Sequence, residues 1–206
     1  MKRVVLINMP FAGVEFPSLA LGLFKARFMQ TGIPCDVIHL NLLFAEMVGW
    51  QNYALIGQIS GCFAGEQLFA QALFGDRVPN DAQYYADVIS RLPPDTPLKL
   101  AQMKAQVIPF LQLCLSRIPW QAYDIIGFTN LFEQNLPSLA LAQVVKQYYP
   151  DKTIVFGGAN CEDIMGFTLH RCFPFVDYVF CGEADNTFPE FVRRLSDNRP
   201  VHDLSG

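Results

Sequence analysis

Thr153-Ile154-Val155-Phe156 runs into Gly157-Gly158-Ala159-Asn160, and further on Asp177-Tyr178-Val179-Phe180-Cys181 runs into Gly182-Glu183-Ala184-Asp185. Each apolar, β-rich run closes on a glycine-containing turn, and a helical pattern over residues 164–172 lies between them. That is strand, turn, helix, strand, turn. In a parallel sheet both turns fall on one edge, outside the carboxyl ends of the strands, where open α/β sheets bind ligands. Glycine at such turns lets backbone N–H groups come close to a flat or phosphate-bearing ligand.

The same rhythm extends to both sides. Residues 3–9 are a continuous apolar run ended by Pro10, as suits a strand covered on both faces. Ser18 stands as the N-cap of a helix through Leu19, Leu21, Leu23, Phe24 and Phe28 that ends near Thr31-Gly32. Residues 35–40 read as a second strand and residues 123–129 as a third. A helix then runs from Ser138 to Pro150, residues 153–157 and 177–181 are the fourth and fifth strands, and a last helix passes through Phe188, Phe191, Val192 and Leu195. Five strands alternating with helices predict an α/β fold: a doubly wound, flavodoxin-like, Rossmann-like five-stranded parallel sheet in the order 2-1-3-4-5, its switch point between the first and third strands.

The second and third strands are separated by residues 42–118, far too many for one crossover. Helical patterns occur there at 42–48, 53–59, 66–74, 82–91 and 98–117, with Pro93-Pro94 and Asp95-Thr96-Pro97 parting the last two. The expectation is a helical insertion packed against one edge of the sheet. The α/β domain then comprises residues 1–41 and 119–196, and the polar residues 197–206 read as the start of a linker to a missing C-terminal domain.

This strand order gathers four loops at one rim. The candidate cofactor-binding residues are Pro10, Phe11 and Ala12 after the first strand and Thr129, Asn130 and Leu131 after the third. Gly157, Gly158, Ala159 and Asn160 follow the fourth strand, and Gly182, Glu183, Ala184 and Asp185 the fifth. Glu183 and Asp185 could form an acid–base pair, or lie favourably at a helix N-terminus. Phe11, Phe16, Phe132 and Phe175 read as packing residues that could also flank a planar ring. The dinucleotide signature G-x-G-x-x-G, the phosphate loop and the G-x-S-x-G nucleophile elbow are all absent. A net charge of −4 argues against nucleic acid as partner. No apolar run reaches membrane-spanning length, and the six cysteines show no metal or disulfide spacing. Together with the missing secretory signal this reads as a cytoplasmic chain with buried thiols.

The ordered motifs resemble the vitamin B12-binding domain that precedes the barrel of cobalamin-dependent radical SAM enzymes, with its Gly-Gly-x-[His/Asn] and Gly-Glu-[Gly/Ala]-[Glu/Asp] turns. More narrowly they resemble the N-terminal part of the RiPP maturation radical SAM proteins. The resemblance is carried by Asn8-Met9-Pro10-Phe11-Ala12, Pro17-Ser18-Leu19-Ala20-Leu21-Gly22-Leu23, Gly65-Glu66-Gln67-Leu68-Phe69-Ala70 and Tyr123-Asp124-Ile125-Ile126-Gly127-Phe128-Thr129. Phe156-Gly157-Gly158-Ala159-Asn160-Cys161-Glu162 and Phe173-Pro174-Phe175-Val176-Asp177-Tyr178 complete it. It implies a cobalamin over the strand edge, serving a methyltransferase that acts on a ribosomally made precursor peptide. The loop Phe11-Ala12-Gly13-Val14-Glu15-Phe16 has no histidine, so the cobalamin would be bound without an imidazole ligand from it. S-adenosylmethionine and the 4Fe–4S cluster would belong to a C-terminal radical SAM domain, because the chain lacks a C-x-x-x-C-x-x-C loop. The chain alone is then not catalytic. A non-enzymatic interaction domain and a flavodoxin-like flavin or nucleotide binder are the rival readings.

Overall fold

The computed structural model describes residues 1–78 and 81–204. Five strands, β1 (Val4–Asn8), β2 (Cys35–His39), β3 (Ile125–Thr129), β4 (Thr153–Gly157) and β5 (Tyr178–Phe180), form one sheet in the order β2-β1-β3-β4-β5. Every neighbouring pair is parallel. The flavodoxin-like arrangement expected from the sequence is therefore the one observed.

Alternation along the strands feeds two cores. Val4, Leu6, Ile125, Val155 and Phe180 face α1 (Leu19–Gln30) and α10 (Thr187–Ser196). Val5, Ile7, Ile126, Phe128, Ile154 and Phe156 face the opposite layer, which contains α8 (Asn135–Tyr148) and α9 (Asp163–Cys172). The α1 N-cap is Ser18, whose hydroxyl accepts from the Leu21 amide.

The region between β2 and β3 holds α2 (Leu40–Val48), α3 (Trp50–Gln58), α4 (Ala64–Phe74), α5 (Asp81–Asp87), α6 (Thr96–Ala105) and α7 (Val107–Arg117). Its placement corrects the expected edge packing: these helices share one continuous hydrophobic cluster with β1, β3, β4 and α8, so they cover a face of the sheet. Phe44, Phe69 and Phe110 lock α2, α4 and α7 together, with ring centroids 5.0–6.1 Å apart. The single helix expected over 98–117 is two, α6 and α7. Pro109 has no N–H to bond back to residue 105, but it fits the first turn of a new helix. The C-terminal segment also departs from a plain linker. Val201 and Leu204 pack on the second core, and Arg194 bonds the Pro200 carbonyl and the Asp203 carboxylate. Among the described residues no helix is long and apolar enough to cross a membrane.

Candidate functional site

The loops after β1, β3, β4 and β5 converge at the carboxyl end of the sheet around a cavity of about 630 Å³. It reaches down between the sheet and α1/α10, where Leu6, Gly127, Val155, Phe24, Phe180 and Phe188 form its deeper walls. Phe11, Ala12, Thr129, Asn130 and Leu131 line it, as do Gly157, Gly158, Ala159, Gly182, Glu183, Ala184 and Asp185. Two sequence-selected residues do not line it. Pro10 is buried beneath the β1 loop. Asn160 faces an adjoining groove with Phe63, Ile164 and Met165.

Asn160 instead ties two rim loops together. Its amide nitrogen donates to Asn130 Oδ1 at 2.9 Å and to the Phe132 carbonyl at 2.7 Å. Asn130 is fully buried and donates from Nδ2 to Asn135 Oδ1 at 2.7 Å. Its backbone N–H reaches the Gly157 carbonyl at 2.8 Å. Gly158 crosses over it at φ +115°, and a Cβ there would lie 2.7 Å from the Asn130 carbonyl oxygen. The Gly-Gly turn is thus shaped by a backbone-on-backbone approach that tolerates no side chain. Gly182 also has a positive φ, +83°, but open space beside it. A ligand could approach the backbone closely at that turn.

Residues outside the sequence-selected set hold the β1 loop. Tyr53 Oη donates to the Ala12 carbonyl at 2.7 Å, and Asn41 Nδ2 to the Gly13 carbonyl at 3.0 Å. Gln134 Nε2 donates to Asn8 Oδ1 at 3.0 Å and to the Met9 carbonyl at 2.7 Å. Asn8 Nδ2 in turn reaches Asn41 Oδ1 at 3.3 Å. Asn8, Asn41 and Gln134 are buried, and burial of amides that are hydrogen-bonded this fully fixes the geometry of a loop. The sequence carries no local signal for them, because Tyr53, Asn41 and Gln134 each act on a loop far away along the chain.

The chemistry of the walls is narrow. No lysine, arginine or histidine is among them. The cavity therefore offers apolar surface, amide groups and backbone, with Glu183 and Asp185 exposed at the mouth. That composition does not suit a polyphosphate, which needs cationic partners. The mouth is ringed by exposed apolar side chains: Phe16 at 77 %, Leu19 at 76 % and Phe132 at 79 % of full exposure. Nucleophilic chemistry has no support nearby. Burial pushes the Cys161 thiol beneath the β4 turn up to about 12, so it stays protonated. His170, on α9, faces the Asp177 carbonyl at 3.2 Å and does not line the cavity. Among the described residues no group of three or more metal-ligating side chains exists.

Of the two glycine turns, that at Gly182 leaves backbone open at the rim, whereas Gly158 is closed against the Asn130 backbone. No family model, curated protein or solved structure matches the chain.

Proposed function

We propose that the chain is a cobalamin-binding module of a radical SAM enzyme that modifies, by C-methylation, a ribosomally synthesised peptide. The observation that carries this reading is the convergence of the four loops after β1, β3, β4 and β5 on one cation-free, largely apolar cavity. In this reading Phe11 and Ala12, Thr129 to Leu131, and the turns at Gly157 and Gly182 cradle the corrin. The amides of Asn130 and Gln134, held by Asn160, Asn135, Asn8 and the Met9 carbonyl, would keep those loops in place, and the apolar walls at Phe24 and Phe188 would offer the bound group a water-poor surface. No histidine lines the cavity, so a cobalamin held there would receive no imidazole from its walls. Bound cobalamin would supply a transferable methyl group. S-adenosylmethionine and the 4Fe–4S cluster are assigned to a separate radical SAM domain, which with the precursor peptide is the proposed partner.

The test is direct. Purified chain mixed with hydroxocobalamin and desalted is expected to keep a corrin visible spectrum, in near-stoichiometric amount at high micromolar protein. A colourless eluate counts against the reading. A second reading, an interaction domain without cobalamin, is favoured by the ring of exposed phenylalanine and leucine at the mouth, because clustered apolar surface marks partner sites. Calorimetry with the precursor peptide separates the two: heat without retained colour favours the second.

A further inference from the structure

The segment between β3 and α8 walls the cavity with Leu131, Phe132 and Gln134, while Glu133 reaches the other way, into the helical layer. Glu133 is 5 % exposed. Its Oε2 accepts from the Gly65 amide at the start of α4, and its Oε1 has no hydrogen-bond donor among the described residues. Glu66, in the first turn of α4, answers in the opposite direction. Its two oxygens accept from the Asn135 and Leu136 amides at 2.9 and 2.6 Å, in the first turn of α8. Two helix N-termini are thus cross-capped by two carboxylates, each supplied from the partner's side.

Helix N-termini favour the ionised carboxylates, whereas burial and their mutual repulsion oppose them. Burial wins here: it leads the causes that push Glu66 up to about 7, with the Glu133 charge adding to it, and it raises Glu133 as well. The other groups facing the pair cannot relieve a second charge. Tyr84 on α5 senses the Glu133 charge, and its hydroxyl is committed to the Cys62 carbonyl at 3.0 Å. The Cys62 thiol lies beside Tyr84. The groups acting on the two carboxylates are each other and backbone amides, with no lysine, arginine or histidine among them.

We propose that Glu66 and Glu133 form a proton-operated latch on the cavity mouth: with one proton on the pair, residues 131–134 are locked to α4, and release of that proton to solvent loosens them. The doubly ionised pair is relieved when Glu133, which already has one oxygen without a donor, turns toward water. Phe132 moves with it. That ring has a left-handed φ of +49° and lines both the cavity and the adjoining groove, so its displacement changes access to each. The bonds from Asn160 to the Phe132 carbonyl and from Gln134 to β1 remain as hinges.

Hydrogen exchange of the full chain without ligand, read by mass spectrometry at about pH 6 and about pH 8 and corrected for intrinsic rates, tests this. Amides of residues 131–134 are expected to lose about tenfold or more of their protection at the higher pH, while those of residues 139–147 keep theirs. In Glu133→Gln the difference should vanish. Equal protection of residues 131–134 at both pH values in the unaltered chain overturns the proposal, whether or not the variant folds. A pH-dependent loss that persists in Glu133→Gln also overturns it. No cofactor enters the experiment, so its outcome is separate from that of the cobalamin reading.

Discussion

Gly158 and Gly182 both hold a positive φ, yet only one is hemmed in. A methyl group at Gly158 meets the Asn130 backbone at 2.7 Å, whereas one at Gly182 meets nothing within 4 Å. Gly158→Ala is expected to cost on the order of 3 kcal/mol in urea denaturation, from strain and collision together. Gly182→Ala should cost about 1 kcal/mol, from strain alone. Equal losses would mean that the Asn130 contact does not shape the turn. Glu66 gives a pH signature at the same scale. Its ordinary value is 4.5 and burial lifts it to about 7 in the folded chain. Between those values the native state binds more protons than the unfolded one, so stability falls as pH rises through that window and is flat from this group on either side. The total is on the order of 3 kcal/mol. Denaturation series across the window should show this slope in the unaltered chain and a flatter one in Glu66→Gln.

Among the elements, the joint between α2, α4 and α7 carries the helical layer. Phe110 is fully buried against Phe44 and Phe69. Phe110→Ala is expected to cost about 3–5 kcal/mol by the lost burial and the hole left behind, measured as a shifted denaturation midpoint. The strands and their order were legible because each is a β-rich run, three of them ending at proline or glycine (Pro10, Gly157 and Gly182), and because parallel crossovers restrict topology. Pro109 was a legible break in the expected helix over 98–117, yet apolar periodicity on both sides of it masked the split. The docking of the helical layer on a face of the sheet was not legible. It depends on matching surfaces far apart in sequence, those of β1, β3 and β4 with α2, α4 and α7. The site divides in the same way. Its turns announce themselves locally through glycine. Tyr53, Asn41 and Gln134 act on loops at sequence distances of 41, 28 and 125 residues, and no local pattern reports such a bond. The Glu66–Glu133 exchange is equally non-local, each carboxylate serving the helix that the other precedes or begins.

At the scale of the molecule, one hydrophobic cluster runs from the sheet through α8 into the helices between β2 and β3. Such continuity leaves no seam along which residues 42–118 could melt alone. Trp50 and Trp120 report on the helical side, and far-ultraviolet circular dichroism reports on the whole. The two signals are expected to trace a single superimposable denaturation curve. An earlier tryptophan transition would show a separately unfolding lobe. The hydrogen bonds from Tyr53 and Asn41 to the carbonyls of Ala12 and Gly13 add a consequence for anyone trimming the protein. Excising residues 42–118 to obtain a minimal scaffold would remove the Tyr53 prop from the first loop and sever α2 directly after Asn41, the other prop. The strands would retain their floor, but one of the four walls would collapse, so the smaller version should lose ligand capture even where it still folds.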